Sequence, residues 1–555
     1  MARAYVQGFQ GEDFSASTAV IACAKHYVAY GAATAGRDYN TVDISEQTLR
    51  EIYLPPFQAA IDAGAITIMS AFNCLNGVPA SANYFTLTQI LRQEWGFGGF
   101  VVSDWNSVGE LLNHGVAVSY SEAGKKALLA GVDMDMGSHV YNQNLADLVT
   151  NGELAVADID QSVRRILRVK IRKRLFEQPY VEPEREAATV LSAENLAIAL
   201  QVARRSIVLL KNDNHLLPLS KKLKSLAVIG PLAADRYTPL GSWVCEGRAE
   251  DVISVLAGIK QKIADKKILS VQGCDIAGKQ TDGFAAAVAA AQRAEVAVLV
   301  VGESANLSGE AASRTSLDLP GGQEGLIKAV YATGTPTVVV LMNGRPLTIN
   351  WTAEHVPAIL EIWQLGDQCG NAVADVLFGD YNPGGKLPVT FPRSVGQIPL
   401  YYNHLNTGRP PAADKFTSKY IDLPVTPLFS FGCGLSYTQF DYRDLQITPA
   451  DFGDSAAIIA SAVVQNTGDR SGDEVVQLYV QDVIASLSRP VKELKGFQRI
   501  TLAAGDKQRV EFRLNRNDLG FYDKDIKYVV EPGLFKVWIG GNSEGGLEGS
   551  FEIRN

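Results

Sequence analysis

Several short stretches carry side chains whose types and spacing could do chemistry. Val101-Val-Ser-Asp104-Trp105 puts a carboxylate just past an apolar run. If that run is a barrel strand, Asp104 stands on the face where barrel enzymes keep their catalytic groups. The same residues would also serve as a helix N-cap, which asks only for a short oxygen-bearing side chain. Ala24-Lys25-His26-Tyr27 ends another apolar run. Lys25 and His26 together offer donors to hydroxyls, and positive charge that would keep a nearby carboxylate ionised. A surface lysine beside a core histidine with its ring nitrogens satisfied is the plainer reading. Ser308-Gly-Glu310-Ala-Ala-Ser-Arg314 follows a third apolar run and is rich in glycine and serine, as loops are. A loop glutamate is ordinarily just solvated. It gains a role if folding sets it opposite another carboxylate, because two carboxyls about 5–5.5 Å apart are the machinery of retaining glycoside hydrolysis.

Other motifs look more chemical than they are. Val132-Asp-Met-Asp135-Met-Gly137 begins like a calcium loop but lacks the later oxygen ligands and the closing glutamate. It reads as a strand end, with Asp135 a candidate pocket residue. Gly379-Asp-Tyr-Asn-Pro-Gly-Gly385-Lys386 mimics a phosphate loop, but the spacing is off by one and Leu387 replaces the hydroxyl that would hold magnesium. A proline-rich turn fits better. No G-x-S-x-G nucleophile elbow is present. The six cysteines are far apart and form no C-x-x-C pair, which disfavours a zinc site or a redox pair.

The elements that must position these residues follow from patterning. At 555 residues the chain is long enough for several domains. Hydrophobic residues at 46% and charged residues at 20% exclude a disordered chain. The net charge of −9 and the absence of a basic stripe disfavour nucleic acid as a partner. No apolar run is long enough to span a membrane as a helix. The start, Met1-Ala-Arg-Ala-Tyr, lacks the pattern of a secretory leader.

Residues 1–178 alternate short apolar runs (Ile21–Lys25, Ala65–Asn73, Gly99–Asp104) with helical patterns (Ser45–Ala63, interrupted at Pro55-Pro56, and Leu87–Trp95). Such alternation means βα units and a parallel sheet. The Pro- and Glu-rich stretch Glu177–Arg185 marks a linker, placed at 179–196. A second βα region, 197–400, has strands expected at Ser225–Ile229, Val296–Val301 and Thr337–Met342. Turn residues follow those strand ends, where open α/β sheets carry their ligands. Residues 401–430 read as an irregular linker. From 431 to 555 the period becomes two, with strands expected at Ala456–Gln465, Glu474–Val483, Arg509–Leu514 and Phe535–Ile539, the signature of an antiparallel β-sandwich.

These residues resemble a known family. Lys25-His26, Met69-Ser-Ala-Phe-Asn73, Val102-Ser-Asp104-Trp105 and Gly131-Val-Asp-Met-Asp-Met136 are similar to the barrel domain of glycoside hydrolase family 3. Leu209-Leu-Lys-Asn212, Leu216-Leu-Pro-Leu219, Asn343-Gly-Arg-Pro346 and Gly379–Pro388 resemble its second domain, and Phe431–Thr438 the opening of its fibronectin-III-like third. The resemblance spans essentially the whole chain, and is strongest to the three-domain periplasmic β-glucosidases of bacteria. It implies a multi-domain fold, α/β plus all-β: a (β/α)8-type barrel, an α/β sandwich with a mostly parallel sheet, and a fibronectin-III-like β-sandwich. It implies that Asp104 is the nucleophile and Glu310 the general acid/base, that Lys25 and His26 donate to sugar hydroxyls, and that Met69, Phe72 and Trp105 line the pocket. Phe72 stands where many relatives have tyrosine.

The activity implied is exo-acting, retaining hydrolysis of terminal β-D-glucosyl residues, with no metal or cofactor. A β-xylosidase of the same family and a non-hydrolytic carbohydrate-binding chain are the alternatives. A periplasmic or secreted location follows from the same resemblance. A full (β/α)8 barrel takes about 250 residues, whereas the linker arrives near residue 179 and only 24 residues precede Lys25. The expectation is therefore a partial barrel, with Met1 an internal start. Its open strand edge leaves three outcomes: a fragment whose first domain folds poorly, a second copy or separate N-terminal chain that covers the edge, or rearrangement into a smaller sheet.

Overall fold

A computed structural model describes residues 1–264, 267–448 and 457–554. The chain divides into two compact units, residues 1–188 with 521–528, and residues 189–520 with 529–555.

The first unit is built on three parallel strands, β1 (Cys23–Tyr27), β2 (Thr67–Ser70) and β3 (Phe100–Val102), in the order β1-β2-β3. The sheet continues past β3 as a bridge from Val102 to Met134, so the Asp-Met-Asp stretch is a strand end. Each apolar run predicted from sequence overlaps a strand; β2 and β3 are shorter than their runs, and β1 is shifted two residues downstream of Ile21–Lys25. Among the described residues of this unit the parallel sheet has three strands. The helical pattern at 45–63 is interrupted at its prolines, as expected. Pro55 has no N–H to donate, and a π-type turn over Leu49–Tyr53 leads into a helix Pro55–Asp62 that begins on the proline itself. Helices Phe85–Glu94, Tyr120–Ala130 and Val156–Arg172 follow. Apolar residues of the first two close over Ile68 and Val101, both fully buried, with Ile90, Leu91 and Ala127 packed against them.

One buried carboxylate ties this unit together. Asp133 accepts the N–H of Val101 at 2.8 Å and pairs with Arg92 at 2.6 Å and Arg165 at 2.9 Å. Desolvation of the Arg92 guanidinium lowers its pKa, partly offset by this carboxylate. Asp135, the candidate pocket residue, holds the turn that follows the strand end. It accepts from Ser138 Oγ and from the N–H of Tyr141, at the start of helix Val140–Thr150.

The stretch read as a linker at 179–196 is partly helical, with helices Glu184–Thr189 and Ala193–Ser206. The second unit holds a six-stranded sheet. Its strands are β4 (Val208–Asn212), β5 (Leu226–Ile229), β6 (Ile268–Val271), β7 (Val296–Gly302), β8 (Thr337–Met342) and β9 (Ala358–Glu361), ordered β4-β9-β8-β7-β5-β6. All pairs are parallel except β4 with β9. Patterning missed β4, β6 and β9 as strands. Both faces of the sheet are covered, so β7 is buried at every position and reads as a continuous apolar run. Val298 and Val300 pack on one side with Val255 and Val376, and Leu299 and Val301 on the other with Ala287 and Leu326.

Downstream, strands Phe440–Thr448, Ile458–Asn466 and Lys507–Leu514 form one antiparallel sheet. Strands Gly472–Asp482, Glu493–Leu502, Gly533–Gly540 and Leu547–Ile553 form another. Their inward residues share one core, as in a β-sandwich. The predicted strand start at Ala456 lies outside the described residues. The glycine-rich 379–386 stretch is a structural turn. Asp380 pairs with Lys221 and Lys262, Tyr381 donates to Asp473, and Lys386 pairs with Glu474 at 3.0 Å.

Candidate active site

In the first unit the candidate residues come from the C-terminal ends of the strands. Asp104 follows β3 by two residues and is 7% exposed. Its position is set from behind. Ser103 Oγ donates to the Asp104 carbonyl at 2.9 Å and accepts the Met136 N–H at 2.9 Å, and Ser103 N–H donates to Met134 O. The two carboxylate oxygens then have different fates. Oδ1 accepts the N–H of Trp105 at 2.7 Å. Oδ2 is buried without a hydrogen-bond partner, and His26 Nε2 lies 3.3 Å from it. Asp104 does not cap a helix, so the N-cap alternative is set aside.

His26 lies on β1, and its ring meets Tyr30 edge-on at 5.3 Å between centroids. Tyr30 and Tyr39 both touch Phe72, at 6.2 and 5.3 Å. These two tyrosines escaped sequence reasoning, because an irregular loop gives no periodicity to mark them. Met69 on β2 is half-buried and in register with Val102 of β3. Lys25 is exposed on β1. Trp105 is 67% exposed, and its ring lies over Gly137, where an added Cβ would sit 3.1 Å from the indole. Asp104, His26, Met69 and Trp105 thus lie at one end of one small sheet. The Asn73 Oδ1, buried without a hydrogen-bond partner, is at the same end, after β2. Burial, with the Asp104 charge adding to it, raises the pKa of Glu110, six residues beyond Asp104.

Such an arrangement can do nucleophilic chemistry. A carboxylate with one oxygen fixed and the other free of donors presents a lone pair in a constant direction. An imidazole beside it favours its charged form and can donate to a ligand hydroxyl.

Glu310 belongs to the second unit. It is exposed, in the loop beyond β7. It stands between two residues in the left-handed region, Gly309 at φ +104° and Ala311 at φ 55°. The fully buried Glu303, Asn343 and Glu361 lie beneath this loop at the ends of β7, β8 and β9. Sequence reasoning gave none of these a role, although Asn343 falls within the quoted Asn343-Gly-Arg-Pro346 motif. Among the described residues no group of three or more His, Cys, Asp or Glu is placed to hold a metal ion.

The chain matches known proteins over its whole length. The profile of the glycosyl hydrolase family 3 N-terminal domain matches residues 1–169, and that of the family 3 C-terminal domain residues 207–437. A fibronectin type III-like domain profile matches residues 474–543. The periplasmic β-glucosidase of Salmonella typhimurium is 44% identical over 582 aligned residues, covering 100% of this chain and 76% of that protein. A β-xylosidase of Formosa agariphila is 43% identical, over 98% of this chain and 77% of that protein. The crystal structure of a β-glucosidase from Listeria innocua in complex with isofagomine superposes with a TM-score of 0.95 at 38% identity, covering 100% of this chain and 78% of that one. The motif series, the three matching profiles and these relatives together place the chain in glycosyl hydrolase family 3, as a multi-domain enzyme of that family.

Proposed function

We propose that the chain is a retaining, exo-acting β-glucosidase that removes terminal non-reducing β-D-glucosyl units from oligosaccharides and from aryl or alkyl glucosides. The observation that carries this reading is the asymmetric Asp104 carboxylate, one oxygen anchored and the other unbonded beside His26. The names of the Salmonella and Listeria relatives support the substrate.

In this mechanism Asp104 Oδ2 attacks the anomeric carbon while Glu310 gives its proton to the departing glycosidic oxygen. The glycosyl–Asp104 ester forms and the aglycone leaves as an alcohol. Glu310, now a carboxylate, takes a proton from water, whose oxygen displaces Asp104 and restores the original anomeric configuration. Lys25 and His26 hold sugar hydroxyls, and Met69, Phe72 and Trp105 shape the pocket. Residues 1–178, 197–400 and 431–555 act as barrel, acid/base and support modules. A periplasmic or secreted location goes with the reading, as does a second copy or separate chain against the first unit's sheet edge.

A panel of p-nitrophenyl glycosides tests the substrate. Higher kcat/KM on the β-glucoside than on the β-xyloside supports the reading. A severalfold preference for the xyloside would replace it with the activity named for the Formosa relative. Binding of glucose with no turnover of any glycoside would leave a carbohydrate-binding chain instead.

A further inference from the structure

The loop that carries Glu310 is tied to the sheet beneath it through one arginine. Strands β7, β8 and β9 end side by side, with Gly302 opposite Met342 and Leu341 opposite Glu361. Just past these ends the fully buried Glu303 faces two guanidinium groups. Its Oε1 accepts from Arg314 Nη1 at 2.5 Å and lies 3.3 Å from Arg345 Nε. Neighbouring Glu361 is held by the Trp363 N–H at 2.9 Å and by Asn343 Nδ2 at 3.0 Å. Asn343 Nδ2 also donates to the Arg345 carbonyl at 2.8 Å, which fixes the arginine's backbone.

The outer end of Arg345 does something a core ion pair would not require. Its Nη2 donates to the carbonyls of Leu307 and Ala312, the second at 2.8 Å. Those two carbonyls bracket Glu310. Arg314 holds the far side of the loop by donating to Asp318 O at 2.9 Å. The loop is also seated closely. A Cβ on Gly344 would fall 2.2 Å from Ser308 Oγ, and one on Gly309 2.2 Å from Ser242 Oγ. The loop offers little apolar surface of its own to hold it in place, so polar anchors set its position.

We propose that Arg345, itself aimed by Glu303, is a positioning residue that sets where the Glu310 carboxyl stands by clamping the carbonyls of Leu307 and Ala312. The inference rests on Glu310 being the general acid. General acid catalysis is needed when the leaving group is a poor one, and hardly at all when it departs as a stable anion. Displacement of a catalytic group by about 1 Å can cost roughly 10²-fold.

The test compares kcat/KM on an alkyl β-glucoside and on 2,4-dinitrophenyl β-glucoside for wild type, Arg345→Lys, Arg345→Gln and Glu310→Ala. Lysine keeps a charge for Glu303 but cannot span both carbonyls. Arginine replaced by glutamine leaves Arg314 to pair with Glu303, so one variant remains informative if the other folds poorly. We expect each folded Arg345 variant to lose about 10²-fold on the alkyl glucoside and at least tenfold less on the dinitrophenyl glucoside, the same split as Glu310→Ala. Amide exchange in residues 305–313 should also quicken. Equal losses on both substrates, or no loss, beside a clear split in Glu310→Ala would overturn the positioning role alone. No split in Glu310→Ala would overturn the acid/base reading of Glu310, and this inference with it.

Discussion

The Nε2 of His26 lies 3.3 Å from the Oδ2 of Asp104, the carboxylate oxygen that has no hydrogen-bond partner, while the other oxygen is held by the Trp105 N–H. This joins the ends of two strands, β1 and β3, that sequence alone could only set 78 positions apart (Lys25-His26 against Ser103-Asp104). A histidine so placed can favour the ionised form of that carboxylate and can donate to a ligand hydroxyl.

Replacing His26 by alanine removes that support. An interaction with a charged group contributes about 1.5–3 kcal/mol, so kcat/KM on p-nitrophenyl β-glucoside should fall roughly 10- to 100-fold. The melting temperature should stay close to wild type, because His26 is half-buried and not part of the main core. Steady-state kinetics with a parallel thermal melt separates the two. A change below twofold would remove His26 from the site.

Trp105 offers a different signature. At 67% exposed it contributes little to the fold, yet its ring is fixed over Gly137. Trp105→Ala should raise KM by roughly 3- to 10-fold, the value of about one aromatic contact, with kcat changed less. A fall in kcat alone would mean that the ring does not bind ligand.

Asp133 should behave as a structural acid although it lies in the motif nearest to a calcium loop. Its carboxylate serves Val101 N–H, Arg92 and Arg165 at once. Asp133→Ala leaves two guanidinium groups facing a buried void and should cost about 3–5 kcal/mol. Chemical denaturation would show an early transition confined to the first unit. Unchanged stability with altered substrate binding would give Asp133 a ligand role instead.

Glu361 makes stability depend on pH. Burial pushes its carboxyl up to about 8, the Trp363 N–H and Asn343 acting the other way and the charge of Glu303 adding to the rise. Arg314 and Arg345 face the Glu303 carboxylate in the same cluster. The unfolded chain releases this proton near the ordinary glutamate value of about 4.3, so between there and about 8 the folded state binds the extra proton. Stability contributed by this group is therefore full at low pH, falls as pH rises through that window, and levels off above it. Glu361→Gln should match wild type in melting temperature near pH 4.5 and exceed it by a few degrees at pH 8. A pH-independent difference between the two proteins would contradict this.

How much of this was legible in the sequence depends on the range of each interaction. The strands at 296–302 and 337–342 announce themselves because both faces are buried and the apolar run is unbroken. The edge strands Val208–Asn212 and Ile268–Val271 do not, since each carries polar or half-exposed positions. Asp104 could be picked out from its place after a strand. The anchoring of one oxygen and the approach of His26 could not, because β1 and β3 are separated by β2 and the helices between. The Glu303–Arg345 pair is invisible for the same reason. Nothing local distinguishes a glutamate one residue past Gly302 from a solvated one, and only the pairing of β7 with β8 brings it to the arginine. The linker at 179–196 was read from its prolines, yet helix Ala193–Ser206 begins inside it, capped by Ser192 accepting the Asn195 N–H.

The central claim is that Asp104 forms a covalent bond to sugar. Incubation with 2,4-dinitrophenyl 2-deoxy-2-fluoro-β-glucoside slows both steps but hydrolysis of the intermediate more, so the glycosyl-enzyme accumulates. Peptide mass spectrometry should then find one fluoroglucosyl group on the peptide containing Asp104, and none in Asp104→Asn. Turnover of β-glucosides with no such adduct, or an adduct on another carboxylate, would contradict the account.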